Sequence, residues 1–224
     1  MSKPRMLDLF CGAGGAAVGY ARAGFEVTGV DHRAQPRYPY TFYQADAMSI
    51  DLVGYDIYHA SPPCQRWSVA TPVKGGLKDS YPDYLPELRR KLRATGKPYI
   101  IENVPQAPLE NPIILCGTMF GLKVKRHRAF ECWPELWMLP AGCDCRRGKF
   151  PGKRQYSFDV GCRLISVSGH RYKAADGYEA MGIDWMANRE ELNQAIPPEY
   201  THWIGLQMMA ALAAGENTWR SITK

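Results

Sequence analysis

A chain of 224 residues, 46% apolar and 22% charged, has room for one sizeable domain with a small appendage, and its composition excludes a disordered or fibrous protein. No apolar run approaches the about 18 residues of a membrane span, and MSKPRMLDLF lacks the apolar centre of a signal peptide, so a cytoplasmic protein without a membrane partner is expected. The net charge of +6 is too mild to define the protein by itself.

The first hundred residues alternate between strand and helix patterns. MLDLF is the first predicted strand, followed by the turn CGAGG and a helix over AAVGYARAG. FEVTGVD is the second strand, weakened by its glycine, and TFYQAD and YDIYHA are the third and fourth. PDYLPELRRKLRATG is an amphipathic helix stopped by Gly96, and PYIIENV is the fifth strand. This order predicts an α/β fold with a doubly wound sheet and ligands outside the carboxyl ends of its strands. After PIILCG and HRAFECW the pattern decays. Residues 132–176 are rich in Gly, Pro, Arg and Cys, with only RLISVSG strand-like, and read as a small irregular insert between 1–131 and 177–224. Helical signals return in GYEAMG and NREELNQ, then in a last helix that Pro197 and Pro198 open and Gly215 closes.

Charge and cysteines concentrate in the insert. Between Gly142 and Lys173 stand eight Lys/Arg against two acids, an excess equal to that of the whole chain. A docked polyanion and a solvated loop explain that patch equally well. Seven cysteines, an odd number, argue for reduced thiols rather than a disulfide scaffold.

Four features carry chemistry. The turn Phe10-Cys11-Gly12-Ala13-Gly14-Gly15 lets a ligand approach backbone at a helix N-terminus, and Asp31 ends the next strand where an acid can bind both hydroxyls of a ribose. Asp46 follows the third strand at the same edge. These residues fit any nucleoside-containing cofactor, NAD included; a packing turn without ligand is the lesser reading. Cys64, in Ser61-Pro62-Pro63-Cys64-Gln65, stands on a stiff backbone after the fourth strand, which suits an aimed nucleophile better than a core-filling thiol. Glu102 ends the fifth strand among apolar neighbours, a setting that raises a carboxyl's pKa toward general-acid use; capping a helix is the plainer fate. Arg126 and Arg128 alternate around His127 and are expected to share a face, suited to an anionic or carbonyl group; a solvated basic edge is the alternative.

Taken in order, DLFCGAGG, VD at 30–31, QADA at 44–47, SPPCQ, IENV and RHRAFE resemble the DNA (cytosine-5) methyltransferase family, and EAMG with IPPEYTHWIG resembles its closing motifs. The likeness spans nearly the whole chain outside about 132–170. The length and the short variable segment resemble compact bacteriophage-borne versions, implying protection of a host or phage genome from cleavage, as in restriction-modification. The resemblance implies a Rossmann-like sheet binding S-adenosyl-L-methionine through Phe10, Gly12, Gly14, Gly15, Asp31, Asp46, Ala47 and Pro63. It implies that Cys64 attacks carbon 6 of a cytosine flipped from duplex DNA, that Glu102 engages ring nitrogen 3, and that Arg126 and Arg128 assist. Gln65, Ser68 and Asn103 would touch the substrate. Arg146, Arg147, Lys149, Lys153 and Arg154 would hold the DNA backbone from the target-recognition insert. A loop over Arg66–Tyr84, hinged at Gly75 and Gly76, would close over the base. A monomer is expected.

Two departures from the family pattern stand out. Val124 replaces a usual Gln, which removes a target contact, and Leu206-Gln207 follow Gly205 in place of Asn-Ser, which would alter the methionine end of the cofactor pocket. The insert cysteines Cys132, Cys143, Cys145 and Cys162 offer a zinc set, but reduced structural thiols are preferred because C-x-C spacing suits zinc poorly. His170 is a candidate base contact that more simply reads as exposed, and Trp133, Trp137, Trp185 and Trp203 are expected in the core rather than on bases. The same chemistry on RNA is the nearest alternative. A catalytically silent nucleic-acid-binding relative is disfavoured by the intact Cys64, Glu102, Arg126 and Arg128. A dinucleotide-dependent oxidoreductase leaves SPPCQ, IENV and RHR unexplained.

Overall fold

A computed structural model of the protein describes residues 2–69, 71, 78–145, 158–159, 162–168 and 172–215, with only the backbone considered at 158–159 and 162–163. The order of elements is β1 (Arg5–Leu9), α1 (Gly15–Ala23), β2 (Glu26–Asp31), β3 (Thr41–Gln44), β4 (Ile57–Ala60), α2 (Leu85–Ala94), β5 (Tyr99–Asn103) and β6 (Ile113–Leu115). A 3-10 turn (Gly117–Phe120) leads to β7 (Arg128–Trp133), followed by β8 (Phe158–Asp159), β9 (Cys162–Arg163), α3 (Ala174–Met181), α4 (Arg189–Gln194) and α5 (Pro198–Ala214). Strands β1–β7 form one sheet in the order β3-β2-β1-β4-β5-β7-β6, while β8 and β9 pair separately.

The first five strands are parallel, as their alternation with helices predicts. HRAFECW departs from that pattern: β7 runs antiparallel between β5 and β6 and so brings its first residue, Arg128, to the carboxyl end of β5. The strand order turns at β1, which pairs with β2 on one side and β4 on the other. In a doubly wound sheet this switch point, beyond the carboxyl ends, is the expected place for a ligand.

The central strands β1, β2, β4 and β5 bury both faces because helices cover both, whereas the edge strand β3 is largely exposed. Met6, Val27, Ile57, Ile100 and Phe130 pack with Ala17 and Tyr20 of α1 and with Tyr200, Ile204 and Met208 of α5. Leu7, Leu9, Val30, Tyr58, Ala60 and Ile101 point the other way, onto Leu85, Leu88 and Leu92 of α2. The i, i+3, i+7 spacing of those three leucines predicts this docking. Gly29, which weakens β2 in the sequence, has a packing purpose: a Cβ there would overlap the buried Tyr38 ring.

The edges of the insert belong to the body. β7 continues through Cys132 and Trp133, opposite Ile100 and Tyr99. Past β9, Ile165 bridges to Val124, and Ile165, Val167 and Tyr172 enter a third apolar cluster with Met181, Ile183, Met186, Leu192 and Ala13. RLISVSG is therefore only briefly a strand, and its remainder props the glycine turn from below. Among the described residues no helix is long and apolar enough to cross a membrane.

Candidate active site

The glycine turn lies between β1 and α1. Phe10, Gly12 and Gly14 adopt positive φ (57°, 49° and 86°), a region that costs a non-glycine residue energy and brings the backbone round tightly. The glycines differ in what surrounds them. No protein atom lies within 4 Å of where a Gly12 side chain would begin, so that face of the turn is open. At Gly14 a Cβ would stand 2.7 Å from Pro39 Cδ, and at Gly15 it would stand 2.6 Å from the Ile196 carbonyl. Gly12 thus offers the backbone to a ligand, while Gly14 and Gly15 shape the turn against the protein.

Asp31, at the end of β2, accepts the Gly12 N–H (3.0 Å) and the Arg33 N–H (2.9 Å). Two backbone donors fix the carboxylate and leave further lone pairs for a diol. Asp46 is exposed after β3, its Oδ1 accepting the Met48 N–H at 2.9 Å, with Ala47 buried beside it. Lys91 of α2 steadies this turn by donating to the Met48 and Ile50 carbonyls at 2.9 and 2.7 Å. Phe10 is half-buried, and its ring lies 5.9 Å from that of Tyr84.

Beyond β4 the Ser61 N–H still reaches the Leu9 carbonyl (3.1 Å), then the two prolines carry the chain to Cys64. Asn103 is buried: its amide donates to the Pro62 carbonyl (3.0 Å) and its own oxygen accepts the Val104 N–H (2.9 Å). It therefore tethers the cysteine loop to β5, a role the sequence did not suggest for a residue expected at the substrate. The Cys64 carbonyl accepts N–H groups from Trp67 and Ser68, a compact turn that leaves Pro63 and Gln65 exposed and Ser68 half-buried. Arg66 donates to the carbonyls of Asp79 (3.3 Å) and Tyr81 (3.0 Å), which joins both limbs of the following loop. Gly75 and Gly76, its expected hinges, lie outside the described residues.

Glu102 is 6% exposed, and Arg128 Nε stands 3.0 Å from its Oε1. The apolar isolation expected for this carboxyl is corrected here, because the antiparallel return of β7 delivers a guanidinium to it. Arg126 and Arg128 take different hydrogen-bond partners, although both act on Cys64. Arg126 precedes β7 and is buried, donating to the carbonyls of Val167 (2.8 Å) and Asn193 (2.6 Å), while its own carbonyl accepts the Tyr200 hydroxyl (2.6 Å). Burial, then the neighbouring Arg128, brings its pKa down to about 9, which leaves it charged at neutral pH. Around Cys64, burial and the Glu102 charge push the thiol pKa up, and Arg128 and Arg126 oppose them without prevailing.

Beneath the glycine turn lies a buried polar pair that the sequence reading overlooked. Asp8 and His59 face each other across β1 and β4, with Asp8 Oδ1 2.8 Å from His59 Nδ1. The Tyr38 hydroxyl donates to Asp8 (3.3 Å), and Ser61 Oγ is 3.4 Å from His59 Nε2, at the root of the cysteine loop. The signal was present: each is a polar residue at an inward position of an otherwise apolar strand.

Arg146, Arg147, Lys149, Lys153, Arg154 and His170 lie outside the described residues. The four-cysteine zinc set does not assemble: Cys132 is held in β7 opposite Ile100 and packs into the core, and the side chain of Cys162 is outside the description. Cys143 and Cys145 instead meet Cys116 and His127. Gly205 packs on Ala23 and Tyr20, in the last turn of α1 and away from the glycine turn at its start. Leu206 is exposed and Gln207 accepts the Met138 N–H (2.9 Å). Val124 is buried in the third apolar cluster. Trp185 donates from its indole to the Ala13 carbonyl (2.9 Å), Trp133 stacks on Tyr99, and Trp203 packs against Phe120, whereas Trp137 is exposed.

Residues 4–110 match the sequence model of the C-5 cytosine-specific DNA methylases. Type II methyltransferase M.AplI of Arthrospira platensis is 32% identical over 167 residues, covering 60% of this chain and 48% of that protein. This chain thus spans about half the length of its curated relative. A protein described as a DNA modification methyltransferase, encoded within an E. coli prophage, superposes with TM-score 0.57 at 16% identity, covering 95% of this chain and all (100%) of that one. The Entamoeba histolytica methyltransferase EhMeth gives 0.61 at 12% identity, over 95% and 99% of the two chains. The S. pombe Dnmt2 methyltransferase gives 0.58 at 14% identity, over 94% and 99%. These superpositions bear on the fold.

Proposed function

We propose that this chain, whose residues 4–110 match the model of the C-5 cytosine-specific DNA methylases, belongs to that family and methylates carbon 5 of a cytosine flipped out of duplex DNA, with Cys64 as the nucleophile. The observation that supports this most is the electrostatic grouping of Cys64, Glu102, Arg126 and Arg128 at the carboxyl edge, with Glu102 and Arg128 paired at 3.0 Å.

The open face of Gly12 and the anchored Asp31 carboxylate suit a nucleoside, with Phe10 and Asp46 flanking them. S-adenosyl-L-methionine held there would supply an electrophilic methyl on a sulfonium. Cytosine carbon 5 is a poor nucleophile until a thiolate adds at carbon 6. Cys64 makes that bond as its thiol proton leaves, helped by the two guanidiniums, and the ring electrons become an enamine. Glu102, steered by Arg128, holds the proton at ring nitrogen 3 that keeps charge from building on the base. Once carbon 5 carries the methyl, loss of its proton drives out Cys64 and restores the aromatic ring. A stacked base offers no room for attack at its face, so flipping at a cost of a few kcal/mol belongs to the mechanism.

The test is nucleoside mass spectrometry on unmethylated duplex DNA and tRNA incubated with S-adenosyl-L-methionine. New 5-methylcytosine in DNA, absent with Cys64→Ala, is expected. Product in tRNA alone would move the assignment to RNA, and product that survives Cys64→Ala would remove Cys64 from the reaction.

A further inference from the structure

We propose that Cys116, His127, Cys143 and Cys145 bind a zinc ion that fastens the entrance of the insert to the segment leading into β7, between Arg126 and Arg128. Three separate stretches of chain supply these residues. Cys116 lies between β6 and the 3-10 turn, His127 stands between Arg126 and Arg128, and Cys143 and Cys145 end the described loop after β7. All four ligand atoms lie within 4.8 Å of one another.

The spacing is that of a coordination sphere. His127 Nε2 is 3.5 Å from both the Cys143 and the Cys145 sulfur, and those sulfurs are 3.1 Å apart. A tetrahedron with zinc–sulfur bonds of about 2.3 Å and a zinc–nitrogen bond of about 2.0 Å has N···S edges of about 3.5 Å and S···S edges of about 3.8 Å. The N···S edges agree, and the Cys143–Cys145 edge needs to open by about 0.7 Å on binding. Two sulfurs at 3.1 Å are too far apart for a disulfide, whose bond is about 2.05 Å.

Hydrogen bonding alone accounts poorly for the arrangement. One imidazole nitrogen serves a single hydrogen atom, yet here it faces two sulfurs, and thiols are weak donors. The surroundings also suit a closed structural site. Cys116 and Cys145 are buried, and His127 and Cys143 are half-buried. The Thr118 hydroxyl lies 3.6 Å from the sulfurs of both Cys116 and Cys143, placed to donate to a metal-bound thiolate. On binding, the three thiols release their protons, and three thiolates with a neutral imidazole around a divalent cation carry net charge −1. Such a cross-link anchors a segment too small to build its own core.

The test measures metal on the full chain purified without chelators. About one zinc per chain is expected for the natural protein and for Cys132→Ser, whose cysteine lies in the core away from this cluster. Cys116→Ser and the double variant Cys143→Ser/Cys145→Ser should hold about tenfold less. Because those variants risk misfolding, chelator-stripped natural protein is also titrated with cobalt, which should give the thiolate charge-transfer and intense d–d bands of a tetrahedral site. Metal retained in the cluster variants, no cobalt spectrum from the stripped protein, or a Cys143–Cys145 disulfide in the mass spectrum would each overturn the proposal. None of these readouts depends on methyl transfer, so a failed metal site and a failed methylase reading are told apart.

Discussion

Burial and the Glu102 charge hold the Cys64 thiol above its ordinary range, and the guanidiniums of Arg128 and Arg126 only partly offset them. Because the neutral thiol is favoured and the proposed nucleophile is the thiolate, the single-turnover methylation rate should climb from about pH 6.5 to about pH 9, approaching tenfold per unit at the acid end. A rate that falls above neutrality would contradict a thiolate nucleophile. Arg128→Ala removes one counter-charge and the partner of Glu102, so it should slow the step by about 100-fold and move the profile toward alkaline pH. The glycine turn offers a second contrast at this scale. Gly12→Ala meets only backbone strain and open space, so it should cost about 1 kcal/mol of stability while weakening S-adenosyl-L-methionine binding at least about tenfold by calorimetry. Gly14→Ala adds a clash with Pro39 to the same strain and should be the more destabilising of the two in thermal melts.

Among the elements, β5 and β7 do most to assemble the site. Asn103 ends β5 and ties the cysteine loop to it through the Pro62 carbonyl. Asn103→Ala should lower kcat about tenfold or more with little change in KM, because the thiol is misaimed rather than removed. At the far end of β7, Glu131 is buried and accepts a two-point bond from Arg89 of α2, at 2.9 and 2.8 Å, with the Glu110 N–H at 2.9 Å. Arg89→Met removes the main counter-charge of that carboxylate, leaving it the Glu110 N–H and the Tyr99 hydroxyl, and urea unfolding should show a loss of about 3 kcal/mol, partly recovered in Arg89→Met/Glu131→Gln. No sequence period marks that bridge, since its partners lie in different elements and meet only when β7 turns back beside β5.

For the molecule as a whole, charge and catalysis are kept apart along the chain. The formal basic excess lies in the stretch from Gly142 to Lys173, and the cofactor and cysteine motifs lie N-terminal to it. Charge reversal at Arg146 and Arg147 should therefore weaken duplex DNA binding and flatten its salt dependence in fluorescence anisotropy, leaving S-adenosyl-L-methionine affinity unchanged. Unchanged DNA binding would place the polyanion elsewhere on the surface.

The sequence by itself determined the α/β order and put the glycine turn, Asp31, Asp46, Cys64 and Glu102 at one edge. Each follows or ends a strand whose period-two or wholly apolar pattern is local, and parallel strands present their carboxyl ends together. What the tertiary structure decided are the pairings across long separations: Asp8 with His59, Asn103 with Pro62, Arg128 with Glu102, and Cys116 and His127 with Cys143 and Cys145. Strand alternation does not by itself account for Arg126, because β7 begins only at Arg128; Arg126 is held instead by the carbonyls of Val167 and Asn193, and both guanidiniums still act on Cys64. Partners of that kind are chosen by how strands reverse and pack, a three-dimensional choice that no spacing along the chain records.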